Sequence, residues 1–164
     1  MDNIKEILIQ HFGSEIIVQE TAGLMPILKV PTHKIAEICS FLKENENCYF
    51  DSLSCLTGID NGPEANTMEI VYNLYSIPYE YKLALKIELP RNSNETKELP
   101  EVPTVSHIWA SANWSEREIF DLLGINFINH PDLRRILLPS DWEGYPLRKD
   151  YQQQETYHGI TVKY

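Results

Sequence analysis

The spacing of apolar residues divides the chain into short elements. Ile4, Ile7, Leu8 and Phe12 recur at helical spacing and Gly13 follows them, which predicts a helix over 3–11. Segments 16–19 and 27–30 read as short strands around a turn holding Gly23 and Pro26. Thr32 is expected to cap a second helix that buries Ile35, Ile38, Cys39 and Leu42. A strand over 49–59 runs into the turn signal Asp60-Asn61-Gly62-Pro63. Met68, Ile70, Tyr72 and Leu74 then alternate with Glu69, Val71, Asn73 and Tyr75. Past Pro78-Tyr79, Leu83, Leu85, Ile87 and Leu89 alternate in the same way. Two such runs joined by a short turn predict an antiparallel hairpin with one buried face.

Segment 90–103 is polar and rich in Pro, Asn and Glu, and reads as a mobile surface loop. Helices are expected over 104–110 and 113–123, the second capped by Asn113 or Ser115 and closed by Gly124. Beyond Asn126, the pairs His130-Pro131, Leu138-Pro139 and Tyr145-Pro146 forbid a long helix. Such a tail is ordered only where its apolar residues find a surface. From about Pro139 it is expected to be mobile, or held by a neighbouring molecule, when partners are missing. The resulting fold class is α+β: helices packed on a mixed or antiparallel sheet in two layers. A core domain over 1–127 carries an extended C-terminal docking tail over 128–164.

Composition narrows the function classes. With 164 residues, 43% hydrophobic and 23% charged, the chain can bury one ordinary core. A net charge of −10 repels nucleic acid and anionic lipid at long range. No apolar run approaches the roughly 20 residues of a membrane span. The N-terminus has neither a basic n-region nor an apolar h-region. The chain is therefore expected in the cytoplasm, with any membrane association coming through a partner. Cys39, Cys48 and Cys55 form no CxxC pair, so buried thiols are favoured over zinc or an iron–sulfur cluster.

Candidate chemistry concentrates between Trp114 and Tyr151. Glu116, Arg117, Glu118 and Asp121 lie on one predicted helix. His130, Asp132, Arg134, Arg135, Trp142, Tyr145, Arg148, Lys149 and Asp150 follow in the tail. Arg, Trp and Tyr dominate interface hot spots, and Arg makes two-point contacts with carboxylates. Basic residues interleaved with acids suit ion pairs within the domain or across an interface. Paired-carboxylate catalysis would need one acid desolvated beside a substrate, which the spacing does not demand. His130 reads as a histidine bonded to a carboxylate such as Glu118 or Asp121. GxSxG, GxGxxG and P-loop patterns are absent.

The run Trp114-x-Glu116-Arg117-Glu118-x-x-Asp121-x-x-Gly124-Ile125-x-Phe127-x-x-His130-Pro131-Asp132-Leu133-Arg134-Arg135-Ile136-Leu137 resembles the signature of the C subunit of NADH–quinone oxidoreductase. This is the thirty-kilodalton subunit family of respiratory complex I. Asp141-Trp142-x-Gly144-x-Pro146-Leu147-Arg148-Lys149-Asp150-Tyr151 continues the likeness. The resemblance implies a structural subunit without cofactor or catalytic residues of its own. It would lie in the peripheral arm, on the cytoplasmic side of the bacterial inner membrane. FMN and iron–sulfur clusters would be held by other subunits, and the chief partners would be the D and B subunits. The complex would pass electrons from NADH to quinone and translocate protons. Similar subunits occur in membrane-bound hydrogenases and in ferredoxin- or deazaflavin-linked complexes. A stand-alone carboxylate enzyme and a free-standing adaptor are the rival readings from other classes.

Overall fold

The computed structural model describes residues 2–13, 18–20, 27–91 and 98–162. Its centre is a five-stranded mixed sheet of order β1-β2-β5-β4-β3: β1 (Val18–Glu20), β2 (Ile27–Lys29), β3 (Ser52–Asp60), β4 (Thr67–Ser76) and β5 (Tyr81–Pro90). Within this sheet only β2 and β5 run parallel; the other pairs are antiparallel. The predicted hairpin is β4–β5, in register from Thr67↔Pro90 to Ser76↔Tyr81. Its period-two pattern puts Met68, Ile70, Tyr72 and Leu74 opposite Leu89, Ile87, Leu85 and Leu83 on one buried face.

Three helices cover that face: α1 (Asp2–Phe12), α2 (Ile35–Glu44) and α3 (Ala112–Leu123). α1 brings Ile4 and Leu8 into the core, and its His11 ring stacks on Phe41 of α2 at 4.2 Å. α2 buries Ile35, Ile38, Cys39 and Leu42, the four positions its pattern selects. α3 crosses β3 at Gly58, where an added Cβ would fall 2.5 Å from Leu123 Cδ1. The other face of the sheet is polar, with cross-strand ion pairs Lys29–Glu88 at 3.0 Å and Lys86–Glu69 at 3.5 Å. Helices on one face and solvent on the other make the two-layer α+β arrangement that the alternation predicts.

Several boundaries differ from expectation, each for a physical reason. Thr32 is not the cap of α2. It lies in a 3-10 turn over Thr32–Lys34 behind Pro31, and its hydroxyl donates to the Glu88 carbonyl at 3.0 Å. β3 starts at Ser52 rather than Tyr49, which adopts φ +41, outside the extended region. The expected helix over 104–110 is a pair of turns, with Ile108 and Trp109 amides both bonded to the Val105 carbonyl. α3 starts at Ala112 rather than Asn113. Its cap, Ser111, donates its hydroxyl to the Leu53 carbonyl instead of accepting from the helix. The expected loop over 90–103 contains a strand, β6 (Glu101–Pro103), paired parallel with β7 (Asn126–Ile128). Val102 and Phe127 are buried within that pair. The predicted turn at Gly23 and Pro26 lies outside the described residues.

The tail is not loose from Pro139 onward. The Leu147 amide bonds to the Leu122 carbonyl at 3.0 Å and the Lys149 amide to Asp60 at 2.8 Å. A last small hairpin pairs β8 (Thr156–Tyr157) with β9 (Ile160–Thr161). It is tied back to Asp141 by the Tyr157 hydroxyl at 2.7 Å and the His158 ring at 2.8 Å.

Candidate docking site

α3 carries three of its charged residues, Glu116, Arg117 and Asp121, into the protein and leaves one, Glu118, outside. Helical spacing accounts for the split, since 116 and 118 point to opposite sides while 114, 118 and 122 share the outer stripe.

Asp121 is fully buried at the end of α3. One of its oxygens accepts the backbone amides of Ile136, Leu137 and Leu138 at 3.0, 2.8 and 2.9 Å; the other accepts Arg135 Nη1 at 2.7 Å. Burial pushes the carboxyl up. The Leu138 amide, Arg135 and the other two amides outweigh this and hold it below its ordinary value. A single carboxylate thus fixes the direction of the tail as it leaves His130.

Asp60 does the same from the end of β3. It receives Arg91 through Nε at 2.9 Å and Nη2 at 3.3 Å, and the amides of Gly62 at 3.1 Å and Lys149 at 2.8 Å. Here too burial acts upward and is outweighed, chiefly by the Lys149 and Gly62 amides and by Arg91, so the carboxyl is lowered. Arg91 extends on to Asp150, joining the body to the far end of the signature.

Between these two anchors, Arg135 and Arg148 satisfy backbone carbonyls. Arg135 Nη2 donates to Trp142 and Gly144, both at 3.0 Å. Arg148 donates to Leu123 at 2.6 Å and Gly124 at 3.1 Å. Both guanidinium groups flank the Tyr145 ring, at 5.3 and 4.8 Å from its centroid. That ring lies directly against Gly124, which ends α3 with φ +68. An added Cβ there would fall 2.5 Å from Tyr145 Cε2, so glycine is required both by its backbone angle and by the ring.

Glu116 is different in kind. It is fully buried, yet among the described residues it accepts only the Thr104 hydroxyl, at 2.5 Å, and the Val105 amide, at 2.7 Å. Burial dominates these two bonds and pushes its carboxyl up to about 7. The His130 ring lies 3.8 Å away, with Nε2 3.1 Å from the Asn113 carbonyl and Nδ1 accepting the Asp132 amide at 3.0 Å. An accepting Nδ1 places the ring hydrogen on Nε2, which donates to Asn113. The sequence reading that bonds His130 to a carboxylate such as Glu118 or Asp121 is not met: the ring bonds the Asn113 carbonyl, and Glu116, 3.8 Å away, is beyond hydrogen-bond reach. Burial, with Glu116 as a second cause, also raises the Cys39 thiol. The buried Tyr72 hydroxyl has no hydrogen-bond partner among the described residues.

The remaining predicted residues divide by exposure. Arg117 is buried; it reaches the Arg134 carbonyl at 3.2 Å and lies over the Trp114 ring at 5.6 Å. Arg134 is exposed and pairs with Asp132 at 3.0 Å. Trp142 is half-buried and donates to the Tyr151 hydroxyl at 3.1 Å. Lys149 and Asp150 are exposed, although the Asp150 carboxylate is paired with Arg91. Sequence reasoning missed Asp60, Arg91 and Thr104. Asp60 carried only a turn signal, Arg91 lay within the segment read as loop, and Thr104 opened a segment read as helix. No helix among the described residues is long and apolar enough to cross a membrane.

Comparison with known proteins gives these residues a family context. The profile described as "Respiratory-chain NADH dehydrogenase, 30 Kd subunit" matches residues 28–157. The C subunit of NADH-quinone oxidoreductase from Chloroherpeton thalassium is 41% identical over 94% of this chain, which spans 62% of that protein's length. The same subunit from Chlorobium phaeobacteroides is 38% identical over 97% of this chain and 93% of its own length. That of Geobacter sulfurreducens is 42% identical over 88% of this chain and 85% of its own. Among solved structures, a chain of the membrane-bound sulfane sulfur reductase, an archaeal respiratory membrane complex, shares the fold. Its TM-score is 0.69 at 24% identity, covering 92% of this chain and 84% of that one.

Proposed function

The chain belongs to the family of the 30-kDa subunit of respiratory-chain NADH dehydrogenase, and from that premise we propose that it is a cofactor-free structural subunit of the peripheral arm of a proton-translocating NADH-quinone oxidoreductase. Electrons would pass from NADH through FMN and iron–sulfur clusters in other subunits to quinone. Its chief partners would be the D and B subunits, on the cytoplasmic side of a bacterial inner membrane.

The observation that carries this reading is the family match over 28–157, which takes in Asp60, Arg91, Asp121, Arg135 and Arg148 together. Asp60, Asp121, Arg135 and Arg148 hold backbone amides or carbonyls, and Arg91 joins Asp60 to Asp150. Saturated buried carboxylates shape a surface; they do not transfer protons to a substrate. Among the described residues, the one carboxylate whose pKa is raised toward neutrality, Glu116, is sealed from solvent with both oxygens bonded. That arrangement disfavours the rival carboxylate enzyme.

The tail over 128–164 then acts as a docking element from a fixed position. In this reading Glu118, Asp132, Arg134, Trp142, Lys149 and Asp150 face partners. Glu116, Arg117, Asp121, His130, Arg135, Tyr145 and Arg148 keep that surface in shape. Affinity purification of the tagged chain from detergent-solubilised membranes tests the proposal. Co-elution with the other complex subunits and NADH:quinone reductase activity is expected; elution as a lone, active monomer would overturn it.

A further inference from the structure

The outer stripe of α3 joins exposed apolar side chains to a single acid. Trp114, Glu118 and Leu122 follow one another at four-residue spacing along about 12 Å of helix. Two grooves adjoin at Glu118. One, of about 280 Å³, runs between Trp114 and Leu137; the other, of about 300 Å³, runs over Leu122 between Thr57 and Leu147. Trp114, Leu137 and Leu147 are 67%, 61% and 59% exposed, a concentration of large apolar side chains that a surface facing only water rarely carries. In the middle of this band Glu118 makes no hydrogen bond or ion pair with any described residue.

An unpaired carboxylate inside an apolar band decides what can cover it. A purely apolar occupant would bury the charge without compensation, which is strongly unfavourable. A second copy of this chain on a two-fold axis through the band would bring two Glu118 carboxylates together. An occupant with a cation between apolar side chains satisfies both halves of the surface. The band lies along a helix and its apolar ends flank the charge, which is the geometry of helix-on-helix packing.

We propose that this band docks a helix of a neighbouring subunit that presents one Arg or Lys to Glu118, with apolar residues three and four positions to either side of the cation. The inference rests on the subunit reading above and adds the chemistry of the partner. Arg suits the site better than Lys, because its planar group bonds both oxygens of Glu118 while stacking toward Trp114.

The test uses the full chain in its membrane complex, purified through a tag on another subunit and washed with salt. Glu118→Arg is expected to lower the ratio of this chain to the tagged subunit about tenfold or more, and Glu118→Gln several-fold less than that. A benzoylphenylalanine in place of Leu137, in an otherwise unaltered chain, is expected to cross-link to a segment of another subunit with the stated pattern. Retention of Glu118→Arg at the unaltered ratio overturns the proposal. So does a cross-link to a second copy of this chain, or to a segment with no basic residue. If the unaltered chain itself enters no membrane complex, the subunit reading fails and this proposal fails with it; if it assembles and only the variant result is negative, the docking proposal alone fails.

Discussion

The Asp121 carboxylate accepts the Leu138 backbone amide at 2.9 Å, joining the last turn of a helix to a segment 17 positions further along the chain. With the amides of Ile136 and Leu137 and the Arg135 guanidinium on the same group, the tail's course is set by one buried charge. Removing the side chain leaves those donors unpaired. Asp121→Ala should therefore cost about 3–5 kcal/mol of stability, read from urea unfolding at neutral pH. A loss within the ~0.5 kcal/mol typical of neutral surface changes would show that the tail is held some other way.

Acid should release the same segment. The Asp60 and Asp121 carboxyls are lowered in the folded protein, so their stabilisation is present above the ordinary carboxylate range and is lost as pH falls through their folded values. Stability is expected to be insensitive to these two groups from about pH 5 upward. Below about pH 4 it should drop, with fluorescence of Trp142 changing in the same range. An Asp60→Asn, Asp121→Asn double variant should lose that acid limb.

Glu116 works in the opposite direction. Its carboxyl is pushed up to about 7, so the folded state holds a proton that the unfolded chain releases at lower pH. The group carries no penalty below its unfolded value; stability falls as pH rises from there, and its contribution is lost in full once pH passes the folded value. Glu116→Gln keeps an oxygen for Val105 and removes the titration. The variant should be flatter than the unaltered chain between about pH 5 and 8, by at most about 3 kcal/mol across that window. Parallel stability curves for the two proteins in chemical denaturation would refute the assignment.

Gly124→Ala should be costly for a residue of such small size. The φ of +68 disfavours any Cβ, and Tyr145, held between Arg135 and Arg148, occupies its place. A loss of about 2 kcal/mol or more is expected in thermal or urea unfolding. Gly13 is the control: its φ is +95, but no atom lies where its Cβ would go, so alanine there should cost only the backbone strain, about 1 kcal/mol.

The two arginines most easily taken for equivalents should separate. Arg148 satisfies the carbonyls at the end of α3, whereas the Arg134 side chain is 73% exposed beside Asp132. Arg148→Ala should lower the melting temperature of the isolated chain. Arg134→Ala should leave it within a degree or so, since exposed pairs contribute little. Equal effects would count against the division of the signature into surface-shaping and outward-facing residues.

Much of this is readable from sequence because periodicity is a local signal. The alternation from Met68 to Leu74 and from Leu83 to Leu89 fixes the central hairpin, and Gly124 ends α3 as its position suggests. What periodicity cannot carry is the partner of a polar group. Asp60 lies in an evident turn, but nothing local says that its oxygens accept the Lys149 amide, 89 positions away. Val102 between two prolines gives too short a run to announce a strand, and Phe127 supplies its partner only after α3 has turned the chain back. The tail reads as loose for the same reason. Its Pro-broken pattern excludes helix correctly, while the buried carboxylates that fix it lie in β3 and α3.

The tail belongs to the folded body before any partner arrives, and amide hydrogen exchange on the isolated full chain at neutral pH measures this directly. The amides of Ile136, Leu137, Leu138 and Lys149 should exchange orders of magnitude more slowly than unprotected backbone, and Asp121→Asn should accelerate the first three. Exchange of all four at unprotected rates would contradict it.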